Sequence, residues 1–421
     1  MNLDPIRVVT LAPGHFHAAL VQKEALPEVD PHGVVYSPLD GDLIAHLERI
    51  ARFNSRPERP TAWRVDVRAG DDWLERFRSE RPGNVVVIAG RNRTKIDLIQ
   101  AAVSLGYCVL ADKPWIVVPE DFPKLQKVLA EADRRGVFVC DIMTERFEAT
   151  TRLQRELMRD PNVFGEAIAG TVDEPALEFE SVHYLSKKVA GVPLRRPAWW
   201  FDANVAGESI ADVGTHLADL AMWLGFPDQV VDYQSDIEFV SAKRWPTMVD
   251  RDSFCEITGL ADYTPDLASL RDGDQLIYRG NGTLLYRLRG RHVRLTTRWD
   301  VRDAGTEGDT HLAIAHGTRS TVSVLHDASL GRGPQVVVMP VQSADRSRVQ
   351  TAVKRHCENR AGYEARDLGD RIHVIVPDSE RTGHESHFGS VLREFVSYFR
   401  DRTKIPVWER PNLLAKYFVT T

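Results

Sequence analysis

The chain has 421 residues, of which 43% are hydrophobic and 27% charged, and it carries a formal net charge of −6. These values exclude a wholly disordered chain and disfavour a dedicated nucleic-acid binder, which usually carries a basic excess. No apolar run approaches the roughly 18 residues of a membrane span, and the start lacks the segments of a secretion signal. The four cysteines are dispersed and form no CxxC motif, so we expect reduced thiols and a cytoplasmic protein.

The N-terminal part of the chain alternates strands with helices. Short apolar runs predict strands at 7–11, 33–36, 63–67, 84–89, 107–111 and 137–142. Helical patterns cover 17–25, 71–79 and 94–105, and Pro119 opens a further helix. This alternation predicts an α/β domain with a doubly wound parallel sheet, which we place at 1–148.

The pattern changes in the rest of the chain, which we place in a second domain at 149–421. A helix at 149–158 is followed by longer runs that predict strands at 283–288, 293–297, 321–325 and 335–339. Residues 388–399 have apolar positions at helical spacing and predict a C-terminal helix. Alternating apolar and polar residues in the strand runs predict a large, mostly antiparallel open sheet.

The first strand leads into a turn where a dinucleotide-binding fold places glycines at 12, 14 and 17, and only Gly14 is present. The start of the next helix would offer N–H groups to a phosphate, and an ordinary strand–turn–helix connection is the alternative. Candidate cofactor contacts in this turn are Ala12, Gly14, His15 and Phe16.

His15 and His17 have a spacing that suits two metal ligands, but the sequence shows no third ligand beside them. Because a protein-held metal ion normally takes at least three protein ligands, we predict no metal site.

Further cofactor contacts are expected after the second strand, where a carboxylate usually binds the ribose. Ser37 and Asp40 are the candidates, and no Arg or Lys follows before Arg49. A clamp for a 2′-phosphate is therefore absent, which favours NAD without excluding NADP. The loop after the 84–89 strand supplies three more candidates, Gly90, Arg91 and Asn92. The side chains of this loop either reach the cofactor or are solvated.

Two motifs carry the candidate catalytic groups. Asp112 and Lys113 follow a strand, at the sheet edge where open α/β sheets bind ligands. Asp212 and His216 are four residues apart and Asp219 is three beyond, so on one helix all three share a face. An Asp one turn before a His can orient the imidazole as a general base for a hydroxyl group. A surface Asp–His pair is the alternative, but the small apolar flanking residues favour a buried helix.

In combination, these residues resemble the glucose–fructose oxidoreductase, inositol dehydrogenase and rhizopine-catabolism (Gfo/Idh/MocA) family. The matching motifs are Asp112-Lys113-Pro114, a variant of Glu-Lys-Pro, and Gly207-x4-Asp212-x3-His216-x2-Asp219. The resemblance implies a nicotinamide-binding Rossmann domain, an α/β domain with a large open sheet, and a homo-oligomer. The sequence departs from the family pattern at Asp112, in the glycine turn, and at 91–93, where Thr-Pro-Asn is usual.

The resemblance also implies the reaction, which is hydride transfer between a nicotinamide cofactor and a hydroxyl or keto carbon of a sugar, polyol or glycoside. His216, oriented by Asp212, would remove the hydroxyl proton, and Lys113 would stabilise charge on the same oxygen. Asp112 would contribute to cofactor binding. Candidate substrate contacts, for each of which a structural or solvated role is the alternative, are His183, Lys187, Trp199, Asp202, Asp219 and His311.

Two alternatives remain open at this stage. One is a glycoside-cleaving enzyme that reduces and reoxidises NAD within each turnover. The other is a cofactor-bound sensor without turnover, which the intact Lys113, Asp212 and His216 disfavour. In each case we expect a small carbohydrate or polyol as the partner, and neither nucleic acid nor a membrane.

Overall fold

The computed structural model describes residues 5–189, 192–303 and 308–421, which form two compact units. The first unit consists of Met1–Thr144, Gly383–Arg410 and Thr421, and the second of Glu145–Thr382 and Pro411–Thr420. The sequence predicted a division into 1–148 and 149–421, so the main difference is the return of 383–410 to the first unit. In the described ranges, no helix has both the length and the apolar character that crossing a bilayer requires.

The first unit is built on a six-stranded sheet in which all neighbouring strands are parallel. Its strands are β1 (Val8–Leu11), β2 (His32–Ser37), β3 (Arg64–Ala69), β4 (Val85–Ile88), β5 (Cys108–Ala111) and β6 (Val139–Asp141). The strand order β3-β2-β1-β4-β5-β6 reverses direction between β1 and β4, as in dinucleotide-binding folds. The predicted parallel, doubly wound sheet is therefore confirmed.

Five helices connect these strands. They are α1 (His17–Leu20), α2 (Gly41–Ser55), α3 (Trp73–Glu80), α4 (Lys95–Ser104) and α5 (Phe122–Arg135). The helix predicted over 17–25 is wrong beyond Leu20, because the N–H groups of Gln22 and Lys23 bond three residues back, to Ala19 and Leu20. The sequence analysis did not predict α2, although Asp40 caps its start.

The second unit contains a ten-stranded sheet and a separate two-stranded sheet. Its strands are β7 (Leu177–Ser186), β8 (Lys188–Val189), β9 (Val192–Pro193), β10 (Ile237–Asp250), β11 (Arg271–Asp272), β12 (Gln275–Leu288), β13 (Arg291–Arg302), β14 (Thr310–His316), β15 (Ser320–His326), β16 (Pro334–Pro340), β17 (Glu364–Asp367) and β18 (Ile372–Ile375). The main order is β10-β12-β13-β7-β14-β15-β16-β18-β17, and only β7 and β13 pair in parallel. The predicted large, mostly antiparallel sheet is confirmed.

Helices cover one face of this sheet and form the apolar core with it. The helices of the second unit in this part of the chain are α6 (Ala149–Arg159), α7 (Ala203–Ala206), α8 (Ser209–Asp212), α9 (Gly214–Gly225), α10 (Arg251–Thr258) and α11 (Arg346–Glu358). At the end of α9, a Cβ atom on Gly225 would lie 2.6 Å from the Leu177 side chain of β7. A side chain at 225 would force the Leu177 side chain to move, so glycine suits this close approach of α9 to the sheet.

Two further helices end the chain, α12 (His384–Arg400) and α13 (Glu409–Thr420). The helix predicted at 388–399 is confirmed as α12, but it packs within the first unit. Phe395 lies 4.7 Å from Phe138, ring centre to ring centre, and Arg393 forms an ion pair with Glu24. These contacts explain why 383–410 belongs with the parallel sheet.

Candidate functional site

In the first unit, the turn after β1 and the loop after β4 meet backbone to backbone. Ala12 has a φ of +42°, the left-handed conformation that favours the glycine of the usual motif. The Gly14 N–H donates to the Ala12 carbonyl at 2.8 Å, and a Cβ on Gly90 would lie 2.3 Å from that same oxygen. Glycine is therefore required at 90, because the backbones of the two loops lie in close contact at this edge of the sheet.

An acidic side chain faces this turn. A Cβ on Gly14 would lie 3.0 Å from Oδ2 of Asp42, and an Arg91 nitrogen lies 3.9 Å from that oxygen. Asp40, the carboxylate that the sequence analysis selected, instead accepts a hydrogen bond from the Leu43 N–H at 3.1 Å and caps α2. Asp42 is thus the carboxylate beside the glycine turn. The predicted contact Ser37 is buried at the end of β2.

His15, His17 and Asp112 meet at the carboxyl ends of β1 and β5. Nδ1 of His15 lies 3.1 Å from Oδ2 of Asp112, and Nδ1 of His17 lies 3.0 Å from the same oxygen. The other carboxylate oxygen, Oδ1, is buried and makes no hydrogen bond within the described part of the chain. The Phe16 ring packs against both imidazoles, with its ring centre 4.5 Å from each, and the two imidazole centres lie 4.0 Å apart. Asp112 is thus the third potential ligand beside His15 and His17, which the sequence did not indicate.

The protonation states in this cluster follow from burial and from the neighbouring charges. Burial would raise the pKa of Asp112, but His17, the hydrogen bonds from both histidines and the charge of Lys95 hold it well below its usual value. Burial lowers the pKa of His17 well below its usual value, and the neighbouring His15 lowers it further. The carboxylate therefore stays ionised and accepts hydrogen bonds from imidazole N–H groups.

Lys113 is the second residue after β5 and is 8% exposed. Its peptide bond to Pro114 is cis, and its carbonyl accepts a hydrogen bond from Lys95 Nζ at 3.3 Å. Lys95 is fully buried and also donates to the Asn92 side chain at 2.7 Å. Asn92, a predicted cofactor contact, therefore has a partner within the protein. The sequence analysis included Lys95 in a helix and gave it no role at the site.

In the second unit, the Asp212 motif lies on two short helices. Asp212 ends α8, and His216 lies in the first turn of α9. The His216 N–H donates a hydrogen bond to the Val213 carbonyl at 3.0 Å. The prediction of one continuous helix is therefore wrong. The Thr215 hydroxyl donates to the Ala211 carbonyl, a contact of the kind that bends helices.

Asp219 is held by two cations rather than facing a cavity. Both of its oxygens accept hydrogen bonds from Arg146 at 2.6 Å, and Lys416 Nζ lies 3.0 Å from Oδ1. Asp219 is 3% exposed and Lys416 is fully buried. Burial would raise the pKa of Asp219, but Arg146 and Lys416 hold it far below its usual value. These contacts support a structural role.

Three of the predicted substrate contacts lie in one hydrogen-bonded network on the β7 and β14 strands. Ser181 Oγ lies 2.7 Å from Nε2 of His183 and 2.9 Å from Nδ1 of His311. Nδ1 of His183 lies 2.7 Å from Asp309, which also forms an ion pair with Lys187. The structure thus brings His183, Lys187 and His311 together, around two residues that the sequence analysis did not select.

The Ser181, His183 and Asp309 contacts have the order of a hydrolase triad, in which a carboxylate holds the histidine that activates a serine. Ser181, however, is fully buried on an inner strand, and its hydroxyl is shared with His311. A nucleophilic serine needs access to its substrate, so the geometry supports a positioning network. Burial lowers the pKa of His183 to about 4 although Asp309 opposes the shift, and the imidazole is neutral at neutral pH.

Arg196 connects this network with Asp212. Its guanidinium donates to two backbone carbonyls of β7 and lies 4.9 Å from the Trp299 ring centre and 5.0 Å from that of Trp200. It interacts electrostatically with both Asp309 and Asp212. The motif carboxylate and the histidine network therefore share one buried cation in the second unit.

The remaining predicted contacts have local structural surroundings. Asp202 accepts a hydrogen bond from the Asn204 N–H at 2.8 Å and caps α7. Trp199 lies in the turn before it, with its ring centre 6.2 Å from that of Trp200.

With this geometry in view, a family model described as "Putative oxidoreductase C terminal domain" matches residues 153–421. The chain belongs to this oxidoreductase family. A crystal structure of a "putative oxidoreductase" from Parabacteroides merdae is 39% identical in sequence, covers 99% of this chain and 96% of that chain, and has a TM-score of 0.96. No curated protein matches the chain.

Two more distant structures show that the oxidoreductase shares its fold with proteins crystallised with nicotinamide cofactors. KijD10, a 3-ketoreductase from Actinomadura kijaniata in complex with NADP and TDP-benzene, is 16% identical, covers 99% of this chain and 96% of that chain, and has a TM-score of 0.58. GenD2 from gentamicin A biosynthesis, in complex with NAD, is 13% identical, covers 100% and 93%, and has a TM-score of 0.56. At these identities the likeness concerns the fold alone.

Proposed function

We propose that the protein is a nicotinamide-dependent oxidoreductase that transfers a hydride between the cofactor and a hydroxyl or keto carbon of a sugar, polyol or glycoside. The observation that carries this proposal is Lys113 at the carboxyl end of β5, in a sheet of dinucleotide-binding strand order, in a chain of an oxidoreductase family. Ligands of open α/β sheets bind at this edge, beside the strands where the order reverses.

The turn at 12–14 and the loop at Gly90, whose backbones approach closely, fit a nicotinamide dinucleotide. Gly14 and Gly90 carry no side chains at this edge, and glycines in such a turn allow a pyrophosphate to approach the backbone closely. Asp42 beside Gly14 would bind ribose hydroxyls and repel a 2′-phosphate, which favours NAD. The cofactor supplies the hydride acceptor or donor. KijD10 was crystallised with NADP and GenD2 with NAD, so these two distant structures do not favour either cofactor. The preference for NAD is therefore argued from Asp42 alone.

Three residues of this chain carry the proposed proton and charge chemistry. His216 accepts the hydroxyl proton as the carbon-bound hydrogen leaves as hydride, and Asp212 orients its imidazole. Lys113 donates a hydrogen bond to the reacting oxygen and stabilises negative charge that develops there. The neutral His183, with His311 and Lys187, offers donors and acceptors for further substrate hydroxyl groups.

The test is a pair of variants in which cofactor binding and turnover are measured separately. We expect Lys113→Met and His216→Ala each to lower kcat by about 10²-fold or more, since each removes a group that acts on the reacting oxygen. We expect the cofactor Kd to stay within about threefold of the parent value, because neither side chain is assigned to the phosphates.

Lys127→Met and His32→Ala are the matched controls, since both residues are exposed on the first unit. Near-normal kcat in Lys113→Met or His216→Ala, with circular dichroism showing a folded protein, would contradict the role assigned to that residue.

A further inference from the structure

The cluster of His15, His17 and Asp112 brings three ligand-type atoms to one point in the first unit. These atoms lie within 4.8 Å of one another, and each histidine Nδ1 lies 3.0–3.1 Å from Asp112 Oδ2. Ligands that surround a tetrahedral ion at its normal bond lengths lie about 3.3 Å apart. The two histidine–aspartate separations are therefore already close to coordination spacing, and the three atoms together lie within 4.8 Å of one another.

A second observation is the buried Oδ1 atom of Asp112. It makes no hydrogen bond within the described part of the chain, although the carboxyl is 96% buried. A buried carboxylate oxygen without a partner is costly, and a bound cation is one of the few groups that would satisfy it.

We propose that His15, His17 and Asp112 bind one divalent first-row transition metal ion, with Zn²⁺ as its representative. Two imidazole nitrogens and one carboxylate oxygen suit Zn²⁺ and its neighbours, whereas Mg²⁺ and Ca²⁺ prefer all-oxygen sites. Three protein ligands leave a fourth position for water or another ligand.

The surroundings of the cluster agree with this assignment. The His15 side chain is 16% exposed, so the ion has a route to the site from solvent. The bound ion would fix the turn after β1 to the end of β5. The proposal stands independently of the nicotinamide chemistry proposed above.

The experiment is a calorimetric titration of the full-length protein, freed of metal with a chelator, with ZnCl₂ and separately with MgCl₂. The ligand variants are His15→Ala and Asp112→Asn. His32→Ala is the control, because His32 forms an exposed pair with Asp66, at 3.3 Å, that has no third ligand beside it within the described residues. We expect the wild type and His32→Ala to bind one equivalent of Zn²⁺, and Mg²⁺ to bind at least about 100-fold more weakly.

Each ligand variant should bind Zn²⁺ at least about tenfold more weakly. Even the loss of a residue that only hydrogen-bonds to a metal ligand typically lowers metal affinity by about tenfold or more. Stoichiometric binding that persists in both ligand variants, or no binding by the wild type, would overturn the proposal. If the ligand variants do not fold, anomalous X-ray scattering from Zn²⁺-soaked wild-type crystals decides. A peak among the three side chains supports the site, and a peak elsewhere or no peak overturns it.

Discussion

At the scale of single residues, Asp42 is the carboxylate on which cofactor choice depends. We expect NAD to bind more tightly than NADP, because a 2′-phosphate beside the Gly14 turn would meet a like charge. Asp42→Asn should narrow this preference by roughly threefold to tenfold, as one like-charge contact near the surface costs on the order of 1 kcal/mol. Calorimetric titration with both cofactors measures it, with exposed Asp71→Asn as control. Tighter NADP binding by the wild type would show that Arg91 dominates.

Asp219 allows a prediction about stability. Asp219→Asn removes the carboxylate charge that the buried cations of Arg146 and Lys416 share, so we expect a loss of about 3–5 kcal/mol in the free energy of unfolding. Asp228→Asn is the matched control, since Asp228 also pairs with two arginines but is 50% exposed, and it should cost less than about 1 kcal/mol. Urea unfolding of the three proteins provides the comparison.

The same carboxylate gives this stability a pH dependence. The pKa of Asp219 is lower in the folded than in the unfolded chain, so its contribution is full above the unfolded value of about 3.9 and is lost as the pH falls further. The difference in unfolding free energy between wild type and Asp219→Asn should therefore shrink below about pH 4. A difference that is independent of pH in that range would contradict the buried ion cluster.

The sequence motifs identified residues whose partners are close along the chain, and missed partners that are distant. Lys113, Asp212 and His216 follow from local spacing, and whether they act as assigned stays a prediction. The histidine network of the second unit was missed because two of its contacts, Asp309 with His183 and Ser181 with His311, span 126 and 130 residues. Asp40 shows the converse difficulty, since a carboxylate after a strand suits either a ribose ligand or a helix cap.

At the scale of elements, local patterns predicted most strands of the parallel sheet but not where helices bend or pack. The break between α8 and α9 coincides with a hydrogen bond from the Thr215 hydroxyl to the Ala211 carbonyl, which apolar periodicity does not encode. Likewise, the apolar spacing over 388–399 predicted α12 but could not indicate its partner. An amphipathic face fits any apolar surface of suitable shape, and its partner depends on the tertiary fold.

The position of α12 can be tested by hydrogen exchange. Phe395→Ala removes a side chain that is 1% exposed and packs on Phe138, so we expect a loss of about 3–5 kcal/mol in local stability. Amide exchange should accelerate in peptides of β5 and β6, while peptides of β14 and β15 stay unchanged. Val407→Ala, at a position that is 83% exposed, is the control. Acceleration confined to β14 and β15 would instead place α12 with the second unit.

At the scale of the whole molecule, the sequence predicted a parallel sheet followed by a mostly antiparallel one, and both are present. This succeeded because buried parallel strands form continuous apolar runs, such as Val85–Ile88, whereas half-exposed strands alternate apolar and polar residues. The sequence did not predict that 383–410 belongs to the first unit, since chain order does not determine which unit a terminal helix joins. The homo-oligomer stays a prediction.

Net hydride transfer to or from a nicotinamide cofactor is tested most directly by a measurement that follows the electrons. The protein is incubated with NAD and a panel of sugars, polyols and glycosides, while the absorbance of the reduced cofactor and the masses of the products are recorded together. We predict one equivalent of reduced cofactor for each product that has lost two hydrogens, formed about 10²-fold or more slowly by Lys113→Met. Many turnovers of a cleaved glycoside, with no accumulation of reduced cofactor, would contradict net transfer and indicate a cofactor that is recycled within each turnover.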